Sequence, residues 1–256
     1  MFDDELRRLA TRVRAFLEEP RRLLFITGAG LSAESGLPTY RGIGGLYESS
    51  GTEHGIPVEV ALSGPMFRRQ PHITWQHIAQ LERAVRGAKP NAAHTMIAEL
   101  EKNHEVVVLT QNVDGFHHRA GSTRVIDIHG DCHRLACTGC DHRELREDYE
   151  GLEIPPLCPR CQSVIRPEVV LFEEMLPSDK LVELARELRQ GFDAYFSIGT
   201  TSVFPYIAQP MLDARRAGRL SIEINPGETE VSELVELKFR CGAVRALQAI
   251  LEADRG

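Results

Sequence analysis

The sequence predicts an α/β fold in which a parallel sheet carries helices on both faces and a smaller domain interrupts it. Three observations lead there. Short apolar runs alternate with helical segments along the chain. Several of these runs are followed at once by small or polar residues. Two stretches break the alternation, and one of them holds four cysteines in two Cys-x-x-Cys pairs.

Residues 3–19 read as an amphipathic helix. Leu6, Leu9, Val13, Phe16 and Leu17 follow helical spacing, Asp3 and Asp4 are available as caps, and Pro20 ends it. Arg22–Thr27 (RLLFIT) is long enough for a buried strand and stops at the turn Gly28-Ala29-Gly30. Further strand candidates are Glu105–Thr110 (EVVVLT), 125–128 (VIDI), 192–198 (FDAYFSI) and Leu220–Ile224 (LSIEI). Ser178–Gln190 reads as a helix with a Ser cap and Gly191 at its end. Residues 42–89 contain no convincing strand, although 74–85 looks helical. The cysteine-bearing stretch has little apolar sequence. These two segments, 42–89 and 131–166, are assigned to the small domain, leaving 1–41, 90–130 and 167–256 for the large one.

Composition narrows the function. With 256 residues, 42% hydrophobic and 26% charged, the chain has the makeup of a globular protein with a real core. No run approaches a membrane span, and MFDDELRR lacks the apolar segment of a secretory signal. A cytoplasmic location without a membrane partner is therefore expected. The net charge of −7, with no basic stripe, argues against nucleic acid and suits a cationic partner such as a Lys-rich peptide.

The cysteine spacing is the strongest local signal. Cys137-x2-Cys140-x17-Cys158-x2-Cys161 is the spacing of paired zinc knuckles, and four thiolates satisfy tetrahedral Zn²⁺. Such a closed site has no open position for water, so a structural role is expected. Cys132, His133 and His142 lie close by in sequence but are not needed as ligands.

The remaining motifs follow strands. Gly28-Ala29-Gly30-Leu31-Ser32-Ala33 matches G-x-G-x-x-G/A, a turn that lets backbone amides approach a pyrophosphate; it is equally a tight strand-to-loop turn. The acidic residue that ends a second strand in hydride-transferring enzymes is absent. A loop from Ser35 through Pro38, Tyr40 and Arg41 stands there instead. Thr110-Gln111-Asn112-Val113-Asp114-Gly115 sits past a strand end, where ligands bind in parallel sheets, although these are also turn residues. His129 follows VIDI, and its ordinary pKa suits a general base; a turn histidine is the plain alternative. Gly199-Thr200-Thr201-Ser202 and Asn225-Pro226 also follow strands, either to receive phosphate and ribose or as ordinary turns.

Taken together and in order, these segments resemble the sirtuins across nearly the whole chain. The carriers are GAGLSAESGLPTYRG, TQNVDGFH, IDIHG, RPEVVLFEE, SIGTTSVFP and IEINP, with the four cysteines at the family's zinc positions. The resemblance implies a Rossmann-like large domain and a small domain combining a zinc module with a helical module. It implies NAD as a co-substrate, bound with an acyl-lysine protein or peptide in the cleft between them. His129 is then the catalytic base, acting with Asn112. Gly28, Ala29, Gly30 and Ser32 would lie by the phosphates, and Pro38, Tyr40 and Arg41 on the loop that covers NAD. Asn112 and Asp114 would sit by the nicotinamide and its ribose, with Gln111 and Val113 as further cofactor contacts on the same segment. Gly199, Thr200, Thr201, Asn225, Pro226 and Cys241 would hold the adenosine half, and Val170, Phe172 and Glu173 the substrate.

Two departures from the family pattern concern substrate. The family has Phe-Gly-Glu where this chain has Phe172-Glu173-Glu174, and a Glu at a Gly position restricts the backbone. Sirtuins that remove acidic acyl groups carry a Tyr-x-x-Arg pair, and counting back from Pro90-Asn91-Ala92 places Ile78 and Leu81 there. An uncharged acyl group is therefore expected over succinyl or malonyl. Mono-ADP-ribosyl transfer to protein is the rival reading of the same NAD site.

Overall fold

A computed structural model describes residues 2–39 and 55–252. Among the described residues, six parallel strands form the large sheet: β1 (Arg22–Thr27), β2 (Glu105–Thr110), β3 (Val125–Asp127), β7 (Ala194–Ile198), β8 (Leu220–Ile224) and β9 (Leu237–Phe239). Their order across the sheet is β3-β2-β1-β7-β8-β9. The chain thus winds outward from β1 in one direction, returns, and winds outward in the other. That leaves a switch point between β1 and β7, and a crevice opens there at the carboxyl ends of the strands.

The strands are apolar on both faces because helices cover both. Leu23, Phe25, Val106, Val108, Phe196 and Ile222 face one layer, formed by α1 (Phe2–Phe16), α6 (Ala92–Leu100) and α10 (Ala243–Glu252). Leu24, Ile26, Val107, Leu109 and Tyr195 face the other, where α8 (Ser178–Gln190) supplies Leu184 and α9 (Pro205–Arg216) supplies Ile207, Met211 and Ala214. Alternate residues of one strand therefore serve two cores, as the pleat requires. Phe25 and Phe196 stack with centroids 4.4 Å apart in the first core.

A second, antiparallel sheet comprises β4 (Gly130–Cys137), β5 (Arg143–Leu145) and β6 (Ile165–Val169), in the order β5-β4-β6. Among the described residues three helices, α3 (Val58–Ala61), α4 (Gly64–Arg69) and α5 (Pro71–Val85), stand between α2 (Ala29–Ala33) and α6 in sequence. Phe67 of α4 and Trp75 of α5 join Leu135, Tyr149, Cys158, Ile165 and Leu171 in one apolar cluster. Trp75 Nε1 donates to the Ile165 carbonyl at 2.8 Å. The helical and cysteine-bearing segments, distant in sequence, thus share a core. Strand β6 runs across the expected boundary at residue 167: Pro167 pairs with Leu135 and Glu168 with Asp131.

Two local expectations are corrected, and one strand was not foreseen. The α8 cap is Pro177 and Ser178 is already helical, so no side-chain cap bond forms; Gly191 does close the helix, at φ 75°. Helix α5 begins at Pro71, whose fixed φ and missing N–H suit a first helical position. Strand β9 carries too short an apolar run to be read from the sequence. Among the described residues, no helix is long and apolar enough to cross a membrane.

Candidate functional site

The backbone ladder continues past the ends of the parallel strands and locks the loops of the crevice. Gly28 N donates to Ile198 O at 3.0 Å and Gly30 N to Gly199 O at 2.8 Å. Gln111 N reaches Thr27 O at 3.0 Å, and Gly199 N reaches Ile224 O at 3.1 Å. The glycines permit this approach. A Cβ on Gly28 would lie 2.8 Å from Gly199 O, and one on Gly30 would lie 2.7 Å from Gly199 Cα. This differs from the sequence expectation for these amides: those of Gly28 and Gly30 are committed to protein carbonyls. What these two glycines supply is contact between the β1 and β7 loops, at the start of the short helix α2 (Ala29–Ala33).

Side chains then join the loops. Asn112, buried after β2, donates through Nδ2 to Gly28 O at 3.0 Å and to Ser32 Oγ at 3.1 Å. Ser32 Oγ donates in turn to Asp114 Oδ2 at 2.7 Å. Burial raises the Asp114 pKa, opposed by the Phe116 amide and the Ser32 hydroxyl that donate to it. On the other side of the switch point, Gln111 Nε2 donates to Thr200 Oγ1 at 2.7 Å and Asn225 Nδ2 to Thr200 O at 3.2 Å. Thr201 is exposed, and its carbonyl accepts from Glu230 N at 3.3 Å. Cys241 is buried just past β9, and the adjoining residues Gly242 and Val244 lie against the Glu34 carboxylate at the end of α2. Val113, Pro38 and Pro226 take their places on the loops by chain position, and Ala29 opens α2. Tyr40 and Arg41 lie outside the described residues.

His129 stands where β3 gives way to β4. Its Nδ1 lies 3.0 Å from Gln111 O, an acceptor, so Nδ1 carries the proton and Nε2 is left with its lone pair. Burial lowers the His129 pKa, and the Gln111 carbonyl partly offsets this by favouring the protonated ring. The imidazole is therefore neutral near pH 7, with a basic nitrogen aimed away from the Gln111 loop. Tyr206 of α9 places its hydroxyl 2.7 Å from that Nε2. Burial pushes the Tyr206 pKa up to about 12, so the phenol keeps its proton and donates. Sequence reasoning missed Tyr206. It also missed Phe204, which meets the His129 ring edge-on at 6.1 Å and stacks on Tyr206. A cue was present: both aromatics follow the Gly-Thr-Thr-Ser turn.

The segment expected to meet substrate is tied to His129. Val170 N donates to His129 O at 2.9 Å. Phe172 is hydrogen-bonded to both sides of the α3–α4 junction, its N to Leu62 O at 3.0 Å and its O from Gly64 N at 2.9 Å. Glu173 is exposed and held at φ 64°, a left-handed conformation. Glu174 accepts both Arg166 guanidinium nitrogens, at 2.7 and 2.9 Å, and the Leu171 amide at 3.0 Å. Ile78 packs against the cluster around Trp75, so it serves the small core.

The four predicted zinc ligands converge. The Sγ atoms of Cys137, Cys140, Cys158 and Cys161 all lie within 4.8 Å of one another, with Cys137 and Cys161 at 3.4 Å and Cys140 and Cys158 at 3.6 Å. Tetrahedral zinc–thiolate bonds of about 2.3 Å separate sulfurs by about 3.8 Å, so the donor set fits one zinc ion. The Gly139 amide points at Cys137 Sγ at 3.3 Å, as a thiolate acceptor would favour. His142 is outside the cluster and lies 3.9 Å from Glu144.

Comparison with known proteins places this architecture. A profile of the Sir2 family matches residues 28–205. The "NAD-dependent protein deacylase 2" of Pseudomonas aeruginosa is 52% identical over 90% of this chain and 91% of its own length. The protein of the same name from Pseudomonas syringae pv. tomato is 47% identical over 92% and 96%. Among solved structures, a complex of a Sir2 homolog with NAD superposes with a TM-score of 0.80 at 35% identity, covering 94% of this chain and 92% of that one. A Sir2 mutant with a deacetylated p53 peptide and 3'-O-acetyl ADP-ribose superposes with a TM-score of 0.82 at 30% identity, covering 94% and 96%. The chain belongs to the Sir2 family.

Proposed function

We propose that this NAD-dependent protein deacylase acts on acyl-lysine side chains through His129, with NAD laid across the loops that follow β1, β2, β7 and β8. The geometry of His129 is the observation that carries the proposal. It is a half-buried, neutral imidazole whose tautomer is set by Gln111 O, with Nε2 as the acceptor. NAD enters as a co-substrate. The acyl oxygen attacks the ribose carbon that bears nicotinamide, and nicotinamide leaves. The Tyr206 hydroxyl gives up His129 Nε2 to a ribose hydroxyl, Nε2 takes the proton of that hydroxyl, and the ribose oxygen attacks the resulting imidate carbon. Water completes release of the lysine and an O-acyl-ADP-ribose.

In this reading Asn112 and Asp114 serve the nicotinamide end, with Ser32 bonded to both. Gly28, Gly30 and Gly199 keep the loops close enough to share one dinucleotide. Gln111, Thr200, Asn225 and Cys241 serve the adenosine half. Val170, Phe172 and Glu173 form one edge of the peptide groove, between a large domain of residues 1–41, 90–130 and 167–256 and a small one of 42–89 and 131–166, with β6 crossing the join at residue 167. The zinc ion does no chemistry: four thiolates close its coordination, and it braces the small domain. The acyl group is uncharged in this reading, because Ile78 and Leu81, which stand where sirtuins that remove acidic acyl groups carry Tyr and Arg, cannot pair a carboxylate.

The test is incubation with NAD and a panel of acyl-lysine peptides, following nicotinamide release. Nicotinamide and a small acylated ADP-ribose in equal amounts support the reading. Adenine label transferred to protein supports mono-ADP-ribosylation instead.

A further inference from the structure

Next to the loop after β2 lies a set of metal-binding side chains that the deacylase reading does not use. Strand β4 is irregular opposite β6. Asp131 pairs with Glu168 and Leu135 with the adjacent Pro167, so Cys132, His133 and Arg134 have no partner on β6, while Arg134 stays paired with Leu145 of β5. In a regular strand, consecutive side chains point to opposite faces; a bulge re-aims them. Here it brings three consecutive donors together: an Asp131 carboxylate oxygen, Cys132 Sγ and His133 Nδ1 all lie within 4.8 Å of one another.

The separations suit one small cation. Cys132 Sγ and His133 Nδ1 are 3.5 Å apart. Zinc bonds of about 2.3 Å to sulfur and about 2.0 Å to nitrogen, at a tetrahedral angle, place the two donors about 3.5 Å apart. His133 Nδ1 and Asp131 Oδ1 are 2.9 Å apart, and would open by about 0.4 Å around the same ion. The backbone beneath is held from both sides. Cys132 N donates to Val113 O at 2.9 Å, Arg146 N donates to His133 O at 2.8 Å, and the Tyr149 hydroxyl donates to Cys132 O. Gly115 allows the close fit, since a Cβ there would lie 3.3 Å from both Asp131 Oδ2 and His133 Nδ1. The His133 side chain is 24% exposed, which gives an ion a route in.

We infer that Asp131, Cys132 and His133 form a second zinc-binding site, of one sulfur, one nitrogen and one oxygen donor with an open fourth position. It is separate from the four-cysteine site and shares no residue with it. Coordination releases the Cys132 thiol proton to solvent. Three ligands with an open position bind more weakly than four closed thiolates, so this site fills and empties while the structural zinc stays.

The experiment is equilibrium dialysis of the zinc-loaded full chain against buffered micromolar Zn²⁺, with metal counted per chain. Two zinc ions are expected in the wild type and one in Cys132→Ser and in His133→Asn. Each variant should keep its four-cysteine zinc and its Tm. Co²⁺ added to the zinc-loaded wild type should develop visible ligand-field bands and a near-ultraviolet thiolate charge-transfer band, both missing in Cys132→Ser. A single zinc in the wild type overturns the inference, as does a second equivalent that survives both substitutions. If the variants unfold, cobalt binding to the wild type decides: bands without thiolate charge transfer overturn the inference.

Discussion

Lowering the pH should weaken this protein through two buried histidines, His94 on α6 and His117 on α7 (Phe116–Ala120). They are 0% and 2% exposed, with ring centroids 5.0 Å apart. Each has one bonded ring nitrogen, His94 Nδ1 to Asn91 and His117 Nε2 to Thr27 Oγ1 at 3.0 Å, while the other ring nitrogen is buried without a hydrogen-bond partner. Burial holds the His94 pKa at about 4; burial, with His94 and His118 nearby, holds that of His117 at about 3. Both folded values lie below the unfolded value of about 6.5, so the unfolded chain takes up protons that the folded one refuses. The associated stability is intact above about pH 6.5 and is lost as pH falls toward the folded values. At about pH 5 each histidine costs about 2 kcal/mol, or about 4 kcal/mol for the pair. The assay is urea unfolding of the wild type and of His117→Asn at about pH 7 and about pH 5. The variant loses the Thr27 bond at both pH values, but should show a fall between them smaller by about 2 kcal/mol. Titrating groups other than His94, whose ring lies against the substituted one, respond alike in the two proteins and cancel. Equal falls in wild type and variant would refute the reasoning.

Replacing the proposed base, His129→Ala, should lower deacylation by about 10² to 10⁴ in rate while NAD binding and Tm stay near wild type; near-normal turnover removes His129 from the mechanism. Tyr206→Phe deletes a donor that favours the neutral imidazole, so the acid limb of kcat/KM should move to higher pH by about 0.5–1 unit. An unmoved or downward-shifted limb would show that the 2.7 Å contact does not bear on the base. Glu173→Gly relieves a left-handed backbone in a residue with a Cβ, and should raise stability by about 1 kcal/mol in thermal or denaturant unfolding; a loss of stability contradicts that account. Between acetyl- and succinyl-lysine versions of one peptide, kcat/KM should favour acetyl by about 10², and a succinyl preference would mean that an unpaired cation reaches the acyl chain.

Much of the large sheet was legible because its signals are local. β1, β2 and β8 are apolar runs that coincide with their predicted ranges, and a strand buried on both faces must be apolar throughout. The zinc ligands were legible because a knuckle fixes ligand spacing within a few residues. What the sequence could not carry was anything decided across the fold. Leu237–Phe239 is a strand only because β8 offers it a ladder. Gly28 and Gly30 read as phosphate donors until the β7 loop takes up their amides. Glu173 sits in a left-handed conformation because the Arg166–Glu174 pair and the bonds of Phe172 to Leu62 and Gly64 fix both its neighbours. Tyr206 lies 77 residues from His129 and meets it only when α9 packs beside the carboxyl end of the sheet. Cys132 and His133 read only as neighbours of the zinc motif until the bulge in β4 turns them together with Asp131. Periodicity and spacing record which residues are buried and which are near in sequence. Which buried groups face each other depends on how the layers close, and only the tertiary structure decides that.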